Sequence, residues 1–269
     1  GNLFNKIVIQ FCFIVNDSTG DLAAWGTVFG VSLRSTHPMI PKPMPQIKTN
    51  IPKKITKNFS LNYFFKYFFI YNIFMISCIL LSAGLSSRFG SPKALAQINS
   101  ETVIEHLLKI CVTLPLDQII VVLGANAEEI KPRILEHKKV NVVYNKNHKM
   151  GQTSSFKAGV KNISSKSTGI MLLPVDYPLV KKETFELLIK CFSRKRPLIL
   201  IPTFKNCKGH PPLFSTSLKK EFLELDESSG INTLIHDHPE TLLFPVGDPG
   251  VVQTFNTKEE WEELMKCSS

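Results

Sequence analysis

Between residues 82 and 93 the chain reads Ser82-Ala-Gly-Leu-Ser-Ser-Arg-Phe-Gly-Ser-Pro-Lys93, which gathers two glycines, four serines, an arginine and a lysine in one short stretch. Phosphate binding uses this mixture. Glycines let backbone N–H groups approach the oxygens, hydroxyls add donors, a guanidinium binds as a fork, and an ammonium neutralises charge as a point. The stretch contains no Gly-Lys-Ser/Thr and does not match Gly-x-Gly-x-x-Gly, so Walker A kinases and dinucleotide-binding dehydrogenases are disfavoured. Ser82, Ala83, Gly84, Ser86, Arg88, Gly90 and Lys93 are therefore the first candidates for contact with the phosphates of a ligand.

A second segment, Met150-Gly-Gln-Thr-Ser-Ser155, places a glycine and hydroxyls where a helix should begin. The N-terminus of a helix presents free N–H groups and a positive dipole end, which favour an anion or a base carbonyl. Gly151, Ser154 and Ser155 are candidates on that ground, although Thr153 or Ser154 could simply cap the helix. In Leu173-Pro-Val-Asp-Tyr-Pro178, Asp176 ends an apolar run, where it is either a turn residue or a carboxylate beside triphosphate oxygens. His236-Asp-His238 is expected to be a solvated pair rather than a metal site, and the apolar stripe over 103–110 is expected to be core helix.

Alternating elements would hold these residues in place. Apolar, β-branched runs at 76–81, 118–123, 140–144, 169–174 and 197–202 read as strands. Helices are predicted at 101–112, 127–137, after Gly151, and at 183–192, 218–225 and 229–236. Strands alternating with helices imply right-handed crossovers and a parallel sheet covered on both faces. The fold class is thus α/β, a Rossmann-like three-layer α/β/α arrangement with a mostly parallel sheet. Ligands collect outside the carboxyl ends of such strands. The loop after the first strand, Gly124 after the second and Asp176 after the fourth all point there.

Residues 1–74 differ in character. They hold 8 of the 32 Lys and Arg and 2 of the 22 acidic residues, a charge of +6 that leaves +4 of the total +10 for residues 75–269. That remainder suits an anionic substrate and lacks the concentrated basic stripe of a nucleic-acid binder. Residues 58–74 are rich in Phe, Asn, Lys and Tyr without helical or strand periodicity, and the apolar run is too short for the roughly 20 residues of a membrane helix. The expectation is an atypical extension over 1–74, disordered or not native to the protein, with Met75 as the natural start and one folded domain over 75–269. The six cysteines form no CxxC pair and no Cys/His cluster, so reduced thiols in a cytoplasmic protein are expected, without nucleic-acid or membrane partners.

Leu81-Ser-Ala-Gly-Leu-Ser-Ser-Arg-Phe-Gly-Ser-Pro-Lys93 resembles the opening signature of the molybdenum cofactor nucleotidyltransferases, and the likeness runs from about Ile76 to Leu264. Ala83-Gly84 resembles the cytidylyl branch more than the guanylyl branch, which has Gly-Gly there. The resemblance implies Arg88, Lys93 and Asp176 as catalytic residues, with Mg²⁺ on Asp176. It further implies His210 of Lys208-Gly-His-Pro-Pro-Leu-Phe214, and Asp226 of Leu225-Asp-Glu-Ser-Ser-Gly230, as contacts for the acceptor. The C-terminal end departs from the family. Relatives carry two acids where this chain has Thr254 and Asn256, although the Asn256 carbonyl can still meet the metal.

The activity so implied is transfer of a nucleotidyl group, CMP from CTP being favoured, to the phosphate of molybdopterin with release of pyrophosphate. A molybdoenzyme or its chaperone would receive the product. Two other readings stay open: a same-fold enzyme acting on a sugar phosphate or methylerythritol phosphate, and a nucleotide-binding protein without catalysis.

Overall fold

The first strand, β1 (Ile76–Ser82), is buried along its whole length. Its side chains alternate between two cores, as the period of a strand requires: Ile76, Cys78 and Leu80 join one cluster, Ile79 and Leu81 the other. A strand buried on both faces must have helices above and below it. In this computed structural model, which describes residues 75–226, 230 and 238–266, that arrangement is present.

After β1 come a short hairpin, β2 (Gln97–Ile98) and β3 (Glu101–Thr102), then helix α1 (Val103–Thr113) and strand β4 (Gln118–Leu123). Next are a single helical turn, α2 (Ala127–Ile130), strand β5 (Val140–Tyr144), helix α3 (Gln152–Lys161) and strand β6 (Gly169–Pro174). Helix α4 (Lys182–Lys195) leads into β7 (Ile199–Phe204), β8 (Cys207–Lys208) and β9 (Leu213–Ser215). The short helix α5 (Lys219–Glu224), β10 (Thr241–Pro245) and helix α6 (Lys258–Lys266) complete the described chain.

The strand order is β10-β7-β9-β6-β1-β4-β5, with β8 paired to β7. β1 runs parallel to β4 and β6, β4 to β5, and β7 to β10. Strand β9 is antiparallel to both its neighbours, β6 and β7. On one face lie α1, α4 and Trp261 of α6; on the other lie Phe156 and Val160 of α3 and Phe222 of α5. Each fully buried Leu, Ile or Phe of these faces contributes about 1.5–3 kcal/mol. The architecture is the expected mostly parallel, Rossmann-like three-layer sheet.

Four local readings change. The helix expected over 127–137 is the single turn α2 followed by a 3-10 turn at Lys131–Arg133. Pro132 lacks the N–H an α-helix needs and its ring crowds the preceding turn. The helix expected over 218–225 is present as α5, with a 3-10 turn at Thr216–Leu218 before it. Strands β9 and β10 and helix α6 were not expected at all: β9 is only three residues long, and α6 is mostly polar with Trp261 its one buried residue. The helix expected over 229–236, the His236-Asp-His238 reading and the readings of residues 1–74 fall wholly or mainly outside the described residues.

Among the described residues no helix is long and apolar enough to cross a membrane. Cys78, Cys111 and Cys191 are buried free thiols and Cys207 an exposed one.

Candidate active site

At the carboxyl end of β1 the chain leaves the sheet through the predicted phosphate loop. Ser82 closes the strand, 4% exposed, and its buried hydroxyl has no hydrogen-bond partner in the protein. Beyond it the loop curls on Ser86, which adopts a left-handed φ of 52°. Its carbonyl accepts from Phe89 N–H at 3.0 Å and Gly90 N–H at 3.1 Å, and its hydroxyl accepts from Lys93 N–H at 3.2 Å. The Ser86 side chain thus shapes the loop and delivers Lys93 to its 3-10 turn.

Lys93 is the centre of a polar junction. Its Nζ donates to Asp176 Oδ2 at 3.2 Å and to Asn256 Oδ1 at 3.1 Å. Arg88 donates from its guanidinium to the same Asn256 Oδ1 at 3.3 Å. Asp176 arrives from the end of β6, whose parallel pairing with β1 sets Leu81 beside Pro174.

Asn256 arrives from a C-terminal segment anchored by aromatic packing. The ring of Phe255 stands 5.3 Å from Phe89 and 4.4 Å from Trp261, and Lys93 Nζ lies 5.3 Å from its centroid. Asn256 N–H donates to Glu260 Oε2 at 2.6 Å, tying the segment to the first turn of α6.

The opposite wall is the start of α3. Gly151 takes φ 103°, a conformation that disfavours any other residue, and turns the chain from the 3-10 turn His148–Met150 into the helix. Behind it sits Asn145, 7% exposed, whose amide donates to Ser154 Oγ at 2.9 Å and Ser155 Oγ at 3.0 Å while its carbonyl accepts from Asn147 N–H at 3.0 Å. Gly124 ends β4 under this wall. A Cβ there would lie 2.5 Å from His148 Cβ and 2.7 Å from the Ala83 carbonyl oxygen, so glycine is what lets the two loops close together.

These walls enclose a cleft of about 370 Å³. Ser82, Ala83, Gly84, Ser86, Arg88, Lys93, Gly151, Ser155, Asp176 and Asn256 line it, so the structure brings together most of the residues singled out in the sequence. Gly90, Gly124 and Ser154 do not line it. Ser154 faces away from the cleft, and its hydroxyl donates to the Asn147 and Gly151 carbonyls, each at 2.9 Å. His148, Lys149 and Gln152 line the cleft although nothing in the sequence singled them out, and Asn145 had no motif to reveal it. Arg88, Lys93 and Lys149 outnumber the single lining carboxylate, Asp176, a balance that attracts an anion.

His210 lies apart from the cleft lining but next to its edge. Its ring packs 4.3 Å from that of Tyr177, the residue after Asp176, and its Nδ1 is buried without a partner. Burial lowers the imidazole pKa to about 4, against the opposing pull of the Asp176 carboxylate and a hydrogen bond to the Leu172 backbone. The ring is neutral at pH 7. Burial and the Asp176 charge raise the Tyr177 phenol, which is hydrogen-bonded to Thr254. Asp226 is exposed beyond α5 and does not line the cleft.

Among the described residues no group of three His, Cys, Asp or Glu side chains could hold a metal. Asp176 and Asn256 nonetheless present one carboxylate and one amide oxygen to the same ammonium. A hard cation that keeps several waters and shares phosphate oxygens needs few protein ligands, and this pair fits Mg²⁺ bound in that manner.

A parallel sheet covered on both faces, with a Ser/Gly/Arg/Lys loop at the mouth of its first strand, defines the class: an α/β protein with the architecture of nucleotidyltransferases. Residues 78–242 match the MobA-like NTP transferase domain, and the chain belongs to that family. A relative from Bacillus cereus, named probable molybdenum cofactor guanylyltransferase, is 34% identical over 119 residues, covering 44% of this chain and 56% of that protein. The chain therefore spans about half the length of the curated relatives it matches.

Two solved structures share the fold. Rv0371c from Mycobacterium tuberculosis H37Rv superposes with a TM-score of 0.62 at 24% identity, over 72% of this chain and 99% of that one. Molybdopterin-guanine dinucleotide biosynthesis protein A from Archaeoglobus fulgidus gives 0.55 at 18%, over 71% and 98%. The name of the Bacillus relative contrasts with the cytidylyl branch suggested by Ala83-Gly84.

Proposed function

We propose that this chain transfers a nucleotidyl group from a nucleoside triphosphate to the terminal phosphate of a molybdopterin-type acceptor. The observation that carries the reading is the junction in which Arg88, Lys93, Asp176 and Asn256 meet at the mouth of β1. In this reaction an acceptor phosphate oxygen forms a bond to the α-phosphorus. The bond from that phosphorus to the bridging oxygen breaks, and pyrophosphate leaves with the electron pair.

No covalent enzyme intermediate is required, so positioning and charge neutralisation supply the rate enhancement. Arg88 and Lys93 neutralise the leaving pyrophosphate, the free hydroxyl of Ser82 adds a hydrogen bond, and the N–H groups at the start of α3 face base and ribose. Asp176 and Asn256 would hold Mg²⁺, which when bound spreads the phosphate charge. His210, whose buried Nδ1 has no partner among the described residues and whose ring packs on Tyr177, would contact the acceptor. A neutral imidazole with a nitrogen left unpaired can exchange a hydrogen bond with the acceptor there.

Two observations favour different bases. The relatives' name favours GTP as donor, whereas Ala83, in place of a glycine, adds a methyl to the cleft and favours the smaller cytosine of CTP. Incubating the protein with molybdopterin, Mg²⁺ and each of CTP, GTP, UTP and ATP tests both levels of the reading. Pyrophosphate release with one nucleotide, and the mass of the matching dinucleotide, would establish the reaction and its base. Release with a sugar phosphate but not with molybdopterin would move the acceptor elsewhere, and release with neither would leave a nucleotide-binding protein.

A further inference from the structure

The two oxygens that the cleft offers to a cation are already occupied by a cation of the chain itself. Lys93 Nζ lies 3.2 Å from Asp176 Oδ2 and 3.1 Å from Asn256 Oδ1, and Arg88 donates to the same Asn256 oxygen. Among the described residues Asp176 is the only carboxylate that lines the cleft, so its pairing with Lys93 takes the negative charge on which a divalent ion would rely. An ammonium within about 6 Å of a divalent cation repels it enough, even at the dielectric constant of water, to weaken metal binding about tenfold.

A bound triphosphate changes the balance. It carries several negative charges against the single one of Asp176, and lysine has a flexible four-carbon stem that can follow them. Ser86 holds the Lys93 backbone, so the ammonium can swing on its stem while the base of the side chain stays in place; the Phe255 ring, 5.3 Å from Nζ, is one more contact that the triphosphate must outweigh. We propose that Lys93 holds the cation's place until a triphosphate draws it away, so that the metal site becomes competent only once nucleotide is in the cleft. The inference rests on the reading of this cleft as a triphosphate site. It adds an order of binding and gives Lys93 a second role as the residue that enforces it.

Titration of the full chain with Mn²⁺ in the absence of nucleotide, following free Mn²⁺ by electron paramagnetic resonance, tests the proposal. Lys93→Met should bind Mn²⁺ at least about tenfold more tightly than the wild type. Lys93→Arg, which keeps the charge, should show no such gain, and Lys93→Met combined with Asp176→Asn should lose it. Thermal unfolding of each variant establishes that it is folded.

Equal Mn²⁺ affinity in the wild type and Lys93→Met, a gain that survives Asp176→Asn, or no binding by any form would overturn the proposal. Neither nucleotide nor acceptor enters this titration. A protein that shows the gain yet never releases pyrophosphate would lose the proposed reaction and keep the gate, while an active transferase without the gain would lose only the gate.

Discussion

The rings of Tyr177 and His210 pack 4.3 Å apart, which ties the residue following Asp176 to the Gly-His-Pro loop. Tyr177 in turn is hydrogen-bonded to Thr254, two residues before Asn256. One stack thereby connects the three segments that carry Asp176, His210 and Asn256, and a disturbance at His210 should be felt at the cation-binding oxygens.

That burial has a consequence for stability. The imidazole of His210 titrates near 6.5 in the unfolded chain and at about 4 in the fold. Between those values the unfolded chain binds more protons, so His210 makes the fold lose stability as pH falls from 6.5 towards 4, by at most about 1.4 kcal/mol per pH unit. Urea unfolding across that window should show a flatter pH profile for His210→Gln than for the wild type. Parallel profiles would mean that the ring is not held neutral.

Lys93 lines the cleft, its ammonium held by Asp176 and Asn256 over the edge of the core at Phe255. Lys93→Ala should therefore lower the rate of pyrophosphate release by about 10²–10³ fold, the scale of losing one preorganised charge contact, with little change in the thermal midpoint. Wild-type turnover in Lys93→Ala would sink the assignment of this cleft as the site of transfer.

Asn145 should behave in the opposite manner, since it does not line the cleft and reaches it through Ser155 and His148, which do. Asn145→Ala removes the donor to two buried hydroxyls, which keep their backbone carbonyl partners, and leaves the Asn147 N–H without its acceptor, at a cost of about 1–3 kcal/mol in unfolding free energy. Nucleotide affinity, measured by calorimetry, should fall as well, because the same bonds hold the wall around Gly151. Stability lost with affinity intact would show that the wall keeps its shape without Asn145.

Gly124→Ala places a methyl against His148 Cβ and a backbone oxygen. Backbone cannot retreat as a flexible side-chain tip can, and overpacking of this kind costs about 1–3 kcal/mol. Denaturation should report that loss, and it should persist in Gly124→Ala combined with His148→Ala, which keeps the opposing Cβ.

The C-terminal segment contributes through Phe255 and through Trp261 of α6. Phe255→Ala should destabilise the fold by about 3–5 kcal/mol, as large buried aromatics do. The amide of Asn256 should also be released from the junction, so that Mg²⁺-dependent nucleotide binding weakens more than binding without metal.

The sequence by itself determined what can be read within a short window. The glycines, hydroxyls and cations of residues 82–93, the apolar runs of β1, β4, β5 and β6, and the helix start at Gly151 each announce themselves through composition or local period. The alternation of strand and helix was enough to place Asp176 and the phosphate loop at one edge of a parallel sheet.

What the tertiary structure decided spans distances that no window covers. Lys93 meets Asp176 across 83 positions and Asn256 across 163, a meeting set by the register of β1 against β6 and by the stack of Phe89, Phe255 and Trp261. The antiparallel insertion of β9 between β6 and β7 was hidden because three residues carry too little periodicity to mark a strand. Asn145 was invisible for a related reason: its role is to satisfy buried hydroxyls, and which hydroxyls are buried is known only once the layers have packed.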